Sequence, residues 1–519
     1  MDTTSDAQGA PTGLPRCLLP LTRSAKAGAA FVAIYAALIY LPFLGSNRTL
    51  TAHEVMVTHP AMRILTDGDW IVPRYAGGWW LDKPPLVNWI TAISFQVLGG
   101  FSEFAARLPI ALSTIALCVG VYLLADRFYS RSTAILAGLV QATCVYTYMQ
   151  GRLGEIDMVF ALLLFAAQAV LAAHWGKPVE EKPARYKLPI GASMLFYCFA
   201  ALAVLAKGLL AVVLIAFTVM AFCLWQRSWR PILALVVNPG VPLFLLIAGG
   251  WHVAAYLQVG QEALEQWGYN TLDRFTGDDF HLKSTKSPVF YFYTIPWLMA
   301  PWSLVLIAGA NRLIAQVRRP DARFEKFLWS WFFGGFVFIT ICSFRHKHYA
   351  IPILPPLSIL AGYLIDTWLT WTNVHVRRIR VGTWVAFPII FGIVAGVVMP
   401  ARDHRRETAE FIQQATASLP DEATLYVIGL GQSSAYPYIE HDKCAYLDSA
   451  DAIRDALESL NGGPMYVLTR QMNRMDITES GATFTELDSE RVRRKYDWRE
   501  THTVGTLTKA PAATTTSPE

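Results

Sequence analysis

The stretch Gly78–Trp89, GWWLDKPPLVNW, sets an acid, a base and a double proline between tryptophans. Pro84 and Pro85 fix φ and suit the first turn of a helix. They also bias Lys83 away from the α region. Trp79 and Trp80 are residues expected at headgroup depth in a bilayer. Lys83 is thereby placed stiffly at a membrane surface, at the level of a lipid phosphate. A lysine there either meets a phosphate as a point charge or snorkels beside an interfacial helix. Both readings are open on these residues alone.

Other charges gather near the ends of apolar runs. Asp157 begins one such run, with Glu155 and Arg152 beside it. As an N-cap Asp157 would need no chemistry, but capping does not require the whole cluster. His53 and Glu54 open a segment with helical spacing. A helix N-terminus favours the negative charge of Glu54, and an imidazole can act as general base near neutral pH. Lys207 lies between two apolar runs, where a charge is costly unless it reaches the interface or a partner. Arg274, Arg345 and Lys347 supply further cations, Arg as a fork and Lys as a point charge. The alternative for Arg345 and Lys347 is an ordinary interfacial belt.

The elements that position these residues belong to a membrane. The chain has 519 residues, 54% of them hydrophobic and 16% charged, with mean hydropathy +0.34. Soluble domains carry about a quarter charged residues. Apolar runs long enough to cross a bilayer recur about eleven times, and close spacing around Lys207 leaves the count at about eleven to thirteen. The expected fold is a polytopic α-helical membrane protein with a small C-terminal α/β extracytoplasmic domain.

Charge placement gives the orientation. The loops holding Arg127 and Arg131, Arg227 and Arg230, Arg318 and Arg319, and Arg377, Arg378 and Arg380 are short and basic. The alternate loops, 47–103, 149–156, 259–288 and 343–348, mix their charge with acids. The positive-inside rule puts the first set in the cytoplasm. The expected localisation is the cell (inner) membrane, with the N-terminus inside and the C-terminal domain outside. Residues 1–26 form a cytoplasmic segment and the first span reads as an uncleaved anchor. Residues 27–400 form the membrane domain. Residues 401–507 form the outer domain, where TLYVIGL, CAYLD and PMYVLTR read as strands and SADAIRDALESL as a helix capped by Ser449 or Asp451. GLGQSS lacks the third glycine and later acid of a dinucleotide fingerprint. Residues 508–519 read as a disordered tail. The seven cysteines, five of them in apolar runs, show neither metal spacing nor a disulfide framework.

Eight motifs in order carry a resemblance: HE at 53–54, GDWIVP at 68–73, LDKPPLVNW at 81–89, EFAARLP at 103–109, GEIDM at 154–158, LAKG at 205–208, PWLMAPWS at 296–303 and HKHYAIPILPP at 346–356. The chain resembles the GT-C membrane glycosyltransferases, specifically the family of the aminoarabinose–lipid A transferase and the related protein O-mannosyltransferases. The resemblance covers nearly the whole membrane part. It implies inverting transfer of a sugar from a polyprenyl-phosphate donor to a lipid A, glycolipid or protein acceptor, with membrane lipids but no nucleic acid as partners. Such a displacement needs a base for the acceptor proton and cations for the departing phosphate.

The family opens its first loop with Asp-Glu, and here His53 stands in the position of the Asp. The base role then falls to Glu54 or Asp157, with His53 and Glu155 assisting. Lys83, Lys207, Arg274, Arg345 and Lys347 are the expected phosphate ligands. Some relatives hold a divalent metal on the acid before the KP motif, which is Asp82 here. Zn or Mg/Mn is therefore admitted, with His53, His59, His281, His346 and His348 on the same side. Two rival classes are a secondary transporter, which predicts ionisable residues near mid-helix, and a non-catalytic relative that binds lipid-linked sugar.

Overall fold

The computed structural model describes residues 24–46, 48–177, 186–269, 286–287, 289–343, 345–368, 374–403, 405–430, 435–439, 443–447, 449–460, 464–470, 477, 479–480, 482–489 and 502–509. Arg274, His281, most of GLGQSS, the first 23 residues and the tail from 510 lie outside them.

Among the described residues the membrane part is helical apart from a short hairpin at 74–79. Its first elements are α1 (Ala25–Tyr40), α2 (Ala52–Asp67), α3 (Leu86–Leu98), α4 (Glu103–Asp126), α5 (Arg131–Thr143), α6 (Val145–Gln150), α7 (Asp157–Trp175), α8 (Ile190–Lys207) and α9 (Leu210–Gln226). Among the described residues six helices are long and apolar enough to cross a membrane, and the bent pair Lys347–Ile353 and Pro355–Thr367 makes a seventh. Three shorter apolar helices, α1, α3 and α9, join them. Fewer full-length spans are found than apolar runs because several runs break. Cys144 leaves helical geometry between α5 and α6, and the HKHYAIPILPP run turns by 59°. The chain is an integral membrane protein.

Buried residues of α1, α4, α5, α7, α8 and α9 and of the helix Arg323–Ile341 form one continuous apolar core. Helices Val241–Val259 and Gly382–Arg402 are only 17% buried. Apolar side chains such as Leu246 and Leu257 on the first, and Val397 on the second, are exposed, as a lipid-facing surface requires.

The C-terminal unit is a five-stranded sheet of order β4-β3-β5-β7-β6. Its strands are β3 (Leu425–Ile428), β4 (Cys444–Leu447), β5 (Met465–Arg470), β6 (Ala482–Ser489) and β7 (His502–Lys509). β3 runs parallel to β4 and β5, whereas β7 lies antiparallel between β5 and β6. Ser449 caps the helix Ala450–Ser459 by accepting from the Ala452 N–H at 3.2 Å. The strand β7 continues two residues past the expected domain end, through Lys509.

This unit sits on the long first loop. Val55, Ile64, Phe95 and Ala105 share an apolar cluster with Ile412, Val427, Tyr436 and Leu468. Polar contacts lock the seam. Arg406 forms a forked pair with Glu103 at 3.0 Å on each oxygen, and the Tyr438 hydroxyl donates to Glu103 at 2.8 Å. The loop 47–103 and the C-terminal unit therefore share one face, called the loop face below.

Candidate active site

The loop face is built from local rules. Thr51 caps α2 and Glu54 closes a capping box with it. Gly68 ends α2 in the left-handed region, and the Asp69 carboxylate then accepts from the Ile71 and Val72 amides at 3.0 and 3.1 Å. The short hairpin β1 (Arg74–Tyr75) and β2 (Gly78–Trp79) turns through Ala76 and Gly77, both at positive φ. Arg74 stacks over Trp79 at 4.1 Å. Pro85 sits at the N-cap of α3, as the double proline predicts.

Lys83 is half-buried just before that helix, and its ammonium donates to the Asp82 carbonyl at 2.9 Å. Leu81 packs in one apolar cluster with Leu205, Trp251 and Ala255. That cluster brings the Lys83 turn against the end of α8, where Lys207 stands.

Lys207 meets the partner that a buried charge demands. Its ammonium pairs with Asp157, and both side chains are less than a tenth exposed. The Phe160 and Tyr349 rings face the ammonium at 5.7 and 5.1 Å. Asp157 is the first residue of α7 rather than its N-cap, and the capping residue Ile156 offers no side-chain bond. The carboxylate of Asp157 is thus the counter-ion of Lys207. His53 and His348 lie close enough to act on it electrostatically. His53 is exposed at the start of α2, and His348 stacks on His346 at 5.1 Å.

Glu155 differs from the other acids. It is half-buried, and among the described residues no hydrogen bond to it is found. Burial and the neighbouring Asp157 and Glu54 carboxylates push its carboxyl up to about 8, against the pull of Arg48 and Lys207. That is the range in which a carboxyl both accepts and releases a proton at working pH.

Glu54, expected as a base, is sealed. It is 0% exposed and accepts four N–H groups. Arg107 donates from Nε at 2.7 Å and from Nη2 at 3.2 Å. The Thr51 and Gly154 amides donate at 2.9 and 2.8 Å. Burial pushes the carboxyl up, but Arg107 and these bonds outweigh it and hold it below the usual range. A saturated, buried carboxylate has no site for an incoming proton. A Cβ at Gly154 would press on the Ala106 carbonyl oxygen at 3.3 Å and touch Glu54 Oε1 at 3.6 Å, so the small residue lets the turn approach Glu54 closely. Glu54 thereby ties the Thr51 cap, Arg107 and the turn at Gly154 together.

The remaining expected cations divide. Arg345 spends its guanidinium on the carbonyls of Thr340 and Lys286, at 3.1 Å from each in the closer bonds. Lys347 is exposed and lies over Trp297 at 4.7 Å. Arg152 is likewise committed, to carbonyls of Ile39, Tyr40 and Pro42 at the end of α1. Among the described residues no three His, Cys, Asp or Glu side chains are grouped to hold a metal, so Asp82 lacks a ligand set there.

Sequence reasoning missed Arg107 and Arg48. Arg107 lay in the quoted EFAARLP motif, and the pattern Thr51-Ala-His-Glu54 already spelled a capping box. Arg48 is half-buried and acts on both Glu54 and Glu155.

The helical core and the long loop packed under a terminal α/β unit make up a fold of GT-C type, which solved structures share. The chain is similar in fold to ArnT from Cupriavidus metallidurans bound to undecaprenyl phosphate, with TM-score 0.75 and 17% identity over 92% of this chain and 97% of that one. The oligosaccharyltransferase of Archaeoglobus fulgidus follows with TM-score 0.53 and 11% identity, over 87% and 70%. A family model described as dolichyl-phosphate-mannose-protein mannosyltransferase matches residues 82–248. In sequence the chain is 26% identical over 381 residues to the undecaprenyl phosphate-alpha-4-amino-4-deoxy-L-arabinose arabinosyl transferase of Yersinia enterocolitica, covering 72% of this chain. It is 27% identical over 351 residues to an enzyme of that description from Proteus mirabilis, covering 66%. The matches span 64% and 60% of the lengths of these two relatives.

Proposed function

We propose that the protein is an inverting glycosyltransferase that moves a sugar from a polyprenyl-phosphate carrier to a lipid or protein acceptor. The observation that carries this reading is the placement of Glu155, a half-buried carboxyl beside the Asp157–Lys207 pair that burial and the neighbouring carboxylates push up to about 8. The undecaprenyl-phosphate aminoarabinose of the sequence relatives is the first donor to test. In the reaction an acceptor hydroxyl oxygen attacks the anomeric carbon, and its proton passes to ionised Glu155. The bond from that carbon to the phosphate oxygen breaks, and its electron pair leaves on the phosphate. Lys83, Arg274 and Lys347 meet the charge that develops there. Lys207 acts through Asp157, and their pairing fixes the start of α7 beside Glu155. Arg345 contributes by fixing the segment that carries Lys347. A divalent metal (Zn or Mg/Mn) at Asp82 belongs to the same reading.

A charge-assisted contact to phosphate is worth about 1.5–3 kcal/mol. Lys83→Met should therefore weaken donor use by about one to two orders of magnitude in nanodiscs, with the melting temperature unchanged. Wild-type turnover in that variant would return Lys83 to snorkelling. Repeating the assay with EDTA decides the metal, since full activity after chelation dismisses it.

The proposed orientation has the N-terminus in the cytoplasm and the loop face outside the cell (inner) membrane. The short basic loops support it. Asp67 and Ser449 are both exposed on the loop face. Cysteines introduced by Asp67→Cys and Ser449→Cys should both react with an impermeant maleimide in intact cells. Labelling that requires lysis at either position would reverse the topology.

A further inference from the structure

A cavity of about 660 Å³ opens at the seam between α2 and the C-terminal unit, away from the charged cluster of the active site. Its lining includes His59, Arg63, Leu419, Asp421, Tyr436 and Tyr446. His59 is 4% exposed, and among the described residues neither of its ring nitrogens has a hydrogen-bond partner. The ring stacks on Tyr436 at 5.0 Å and meets the edges of Tyr75 and Tyr446 at 5.4 and 6.1 Å. The Tyr75 hydroxyl is also buried and unpartnered. So is Nε of Arg470, whose charge acts on Tyr75 and Tyr436.

Orphaned polar atoms of this kind are few in folded proteins, and each needs a physical account. Burial holds the imidazole down at about 3, so the ring is neutral at physiological pH. A neutral imidazole presents one donor and one acceptor, and a phenol presents both on one oxygen. The rim adds one cation, Arg63, already paired with Asp67 at 2.8 Å, and one exposed acid, Asp421. Tyr436 and Tyr446 line the cavity, with the His59 nitrogens and the Tyr75 hydroxyl buried just behind them, and aromatic walls backed by neutral polar groups suit an uncharged polyol with an apolar ring face.

We propose that this cavity is a carbohydrate subsite that seats one neutral sugar ring of the acceptor. Its assignment to the acceptor, rather than to another glycan, rests on the transferase reading above. A ring bound here lies over the Tyr436 face, with small shifts of the tyrosines opening its hydroxyls to His59 and Tyr75. The hairpin that carries Tyr75 runs directly into Lys83, and the rings of Tyr75 and Trp80 touch at 5.0 Å. Occupancy of the cavity would thus bear on the donor loop.

The test is saturation-transfer difference NMR on the full chain in nanodiscs, without donor, using methyl β-glucoside and methyl β-N-acetylglucosaminide, with indole as an apolar probe. Both the wild type and Lys83→Met should transfer saturation to at least one glycoside. Tyr436→Leu should lose the signal. His59→Phe keeps the ring's volume and removes both nitrogens, and it should raise Kd at least about tenfold without lowering the melting temperature. Glycoside binding that persists unchanged in both cavity variants overturns the subsite. So does a signal from indole alone. An absent glycoside signal with a lower melting temperature for His59→Phe also overturns it, and assigns the nitrogens to buried water. Binding is read without turnover, so an inactive wild type that still binds glycoside sinks the transferase reading and leaves the subsite standing.

Discussion

Glu155→Gln is expected to lower the transfer rate by about 10²–10⁴-fold, the usual worth of general-base help, with donor binding retained. The amide keeps the shape of the side chain and removes its proton-accepting function. The pH dependence has a definite sign. Glu155 is pushed up to about 8, so its carboxyl is protonated at neutral pH and becomes a base only as pH rises through that value. Turnover of the wild type should climb accordingly from pH 6 to 9. Stability should move the other way. The folded chain binds this proton more tightly than the unfolded chain, so stability falls as pH rises from the ordinary carboxyl range to about 8. Glu155→Gln should therefore melt higher than the wild type at pH 8. A flat rate profile together with normal turnover of Glu155→Gln would remove Glu155 from the chemistry. If His53→Ala alone is then dead, the imidazole is the base. On the present assignment His53→Asp stays active.

The legible parts of the site were those decided within a few residues. Two prolines can only start α3, and they do. The Asp69 turn and the Ser449 cap are likewise local events. Lys207 announced by its apolar surroundings that it needed a partner, but nothing local names a residue 50 positions away. The partners of Glu54 were hidden for the same reason. Its capping box was readable in the sequence, whereas Arg107 and the Gly154 amide arrive from α4 and from the turn before α7. The membrane architecture was visible as apolar runs, because a bilayer imposes one length and one composition on every span. Where the runs break was less visible, since breaks depend on which carbonyls other helices satisfy. Strands β6 and β7 were not read at all. Their alternation is polar on one face, and β7 inserts between the preceding strand β6 and the more distant β5.

Arg107→Met is expected to cost about 3–5 kcal/mol of stability, because it leaves Glu54 charged, buried and without its cation. Arg107 is 0% exposed, and besides Glu54 it holds the carbonyls of Leu44, Arg48 and Thr49 at 3.1, 2.9 and 3.2 Å. It therefore ties the end of the first span to the start of α2, and through Glu54 to Gly154 near Glu155. Glu54→Gln should destabilise by a comparable amount, since it strands the buried guanidinium. The double variant should recover part of the loss, because neither charge is then left alone. The pair also gives the fold an acid limit. Glu54 is held below its ordinary value, so its contribution is complete above the ordinary carboxyl range and disappears as pH falls through the folded-state value. In Glu54→Gln that acid-dependent component should be missing from melting curves taken below the ordinary carboxyl range. The decisive comparison is stability against rate. If Glu54→Gln melts like the wild type and fails only in transfer, the carboxylate is catalytic after all and its pairing with Arg107 is incidental. If it melts early and the surviving folded fraction turns over normally, Glu54 belongs to the scaffold that positions Glu155.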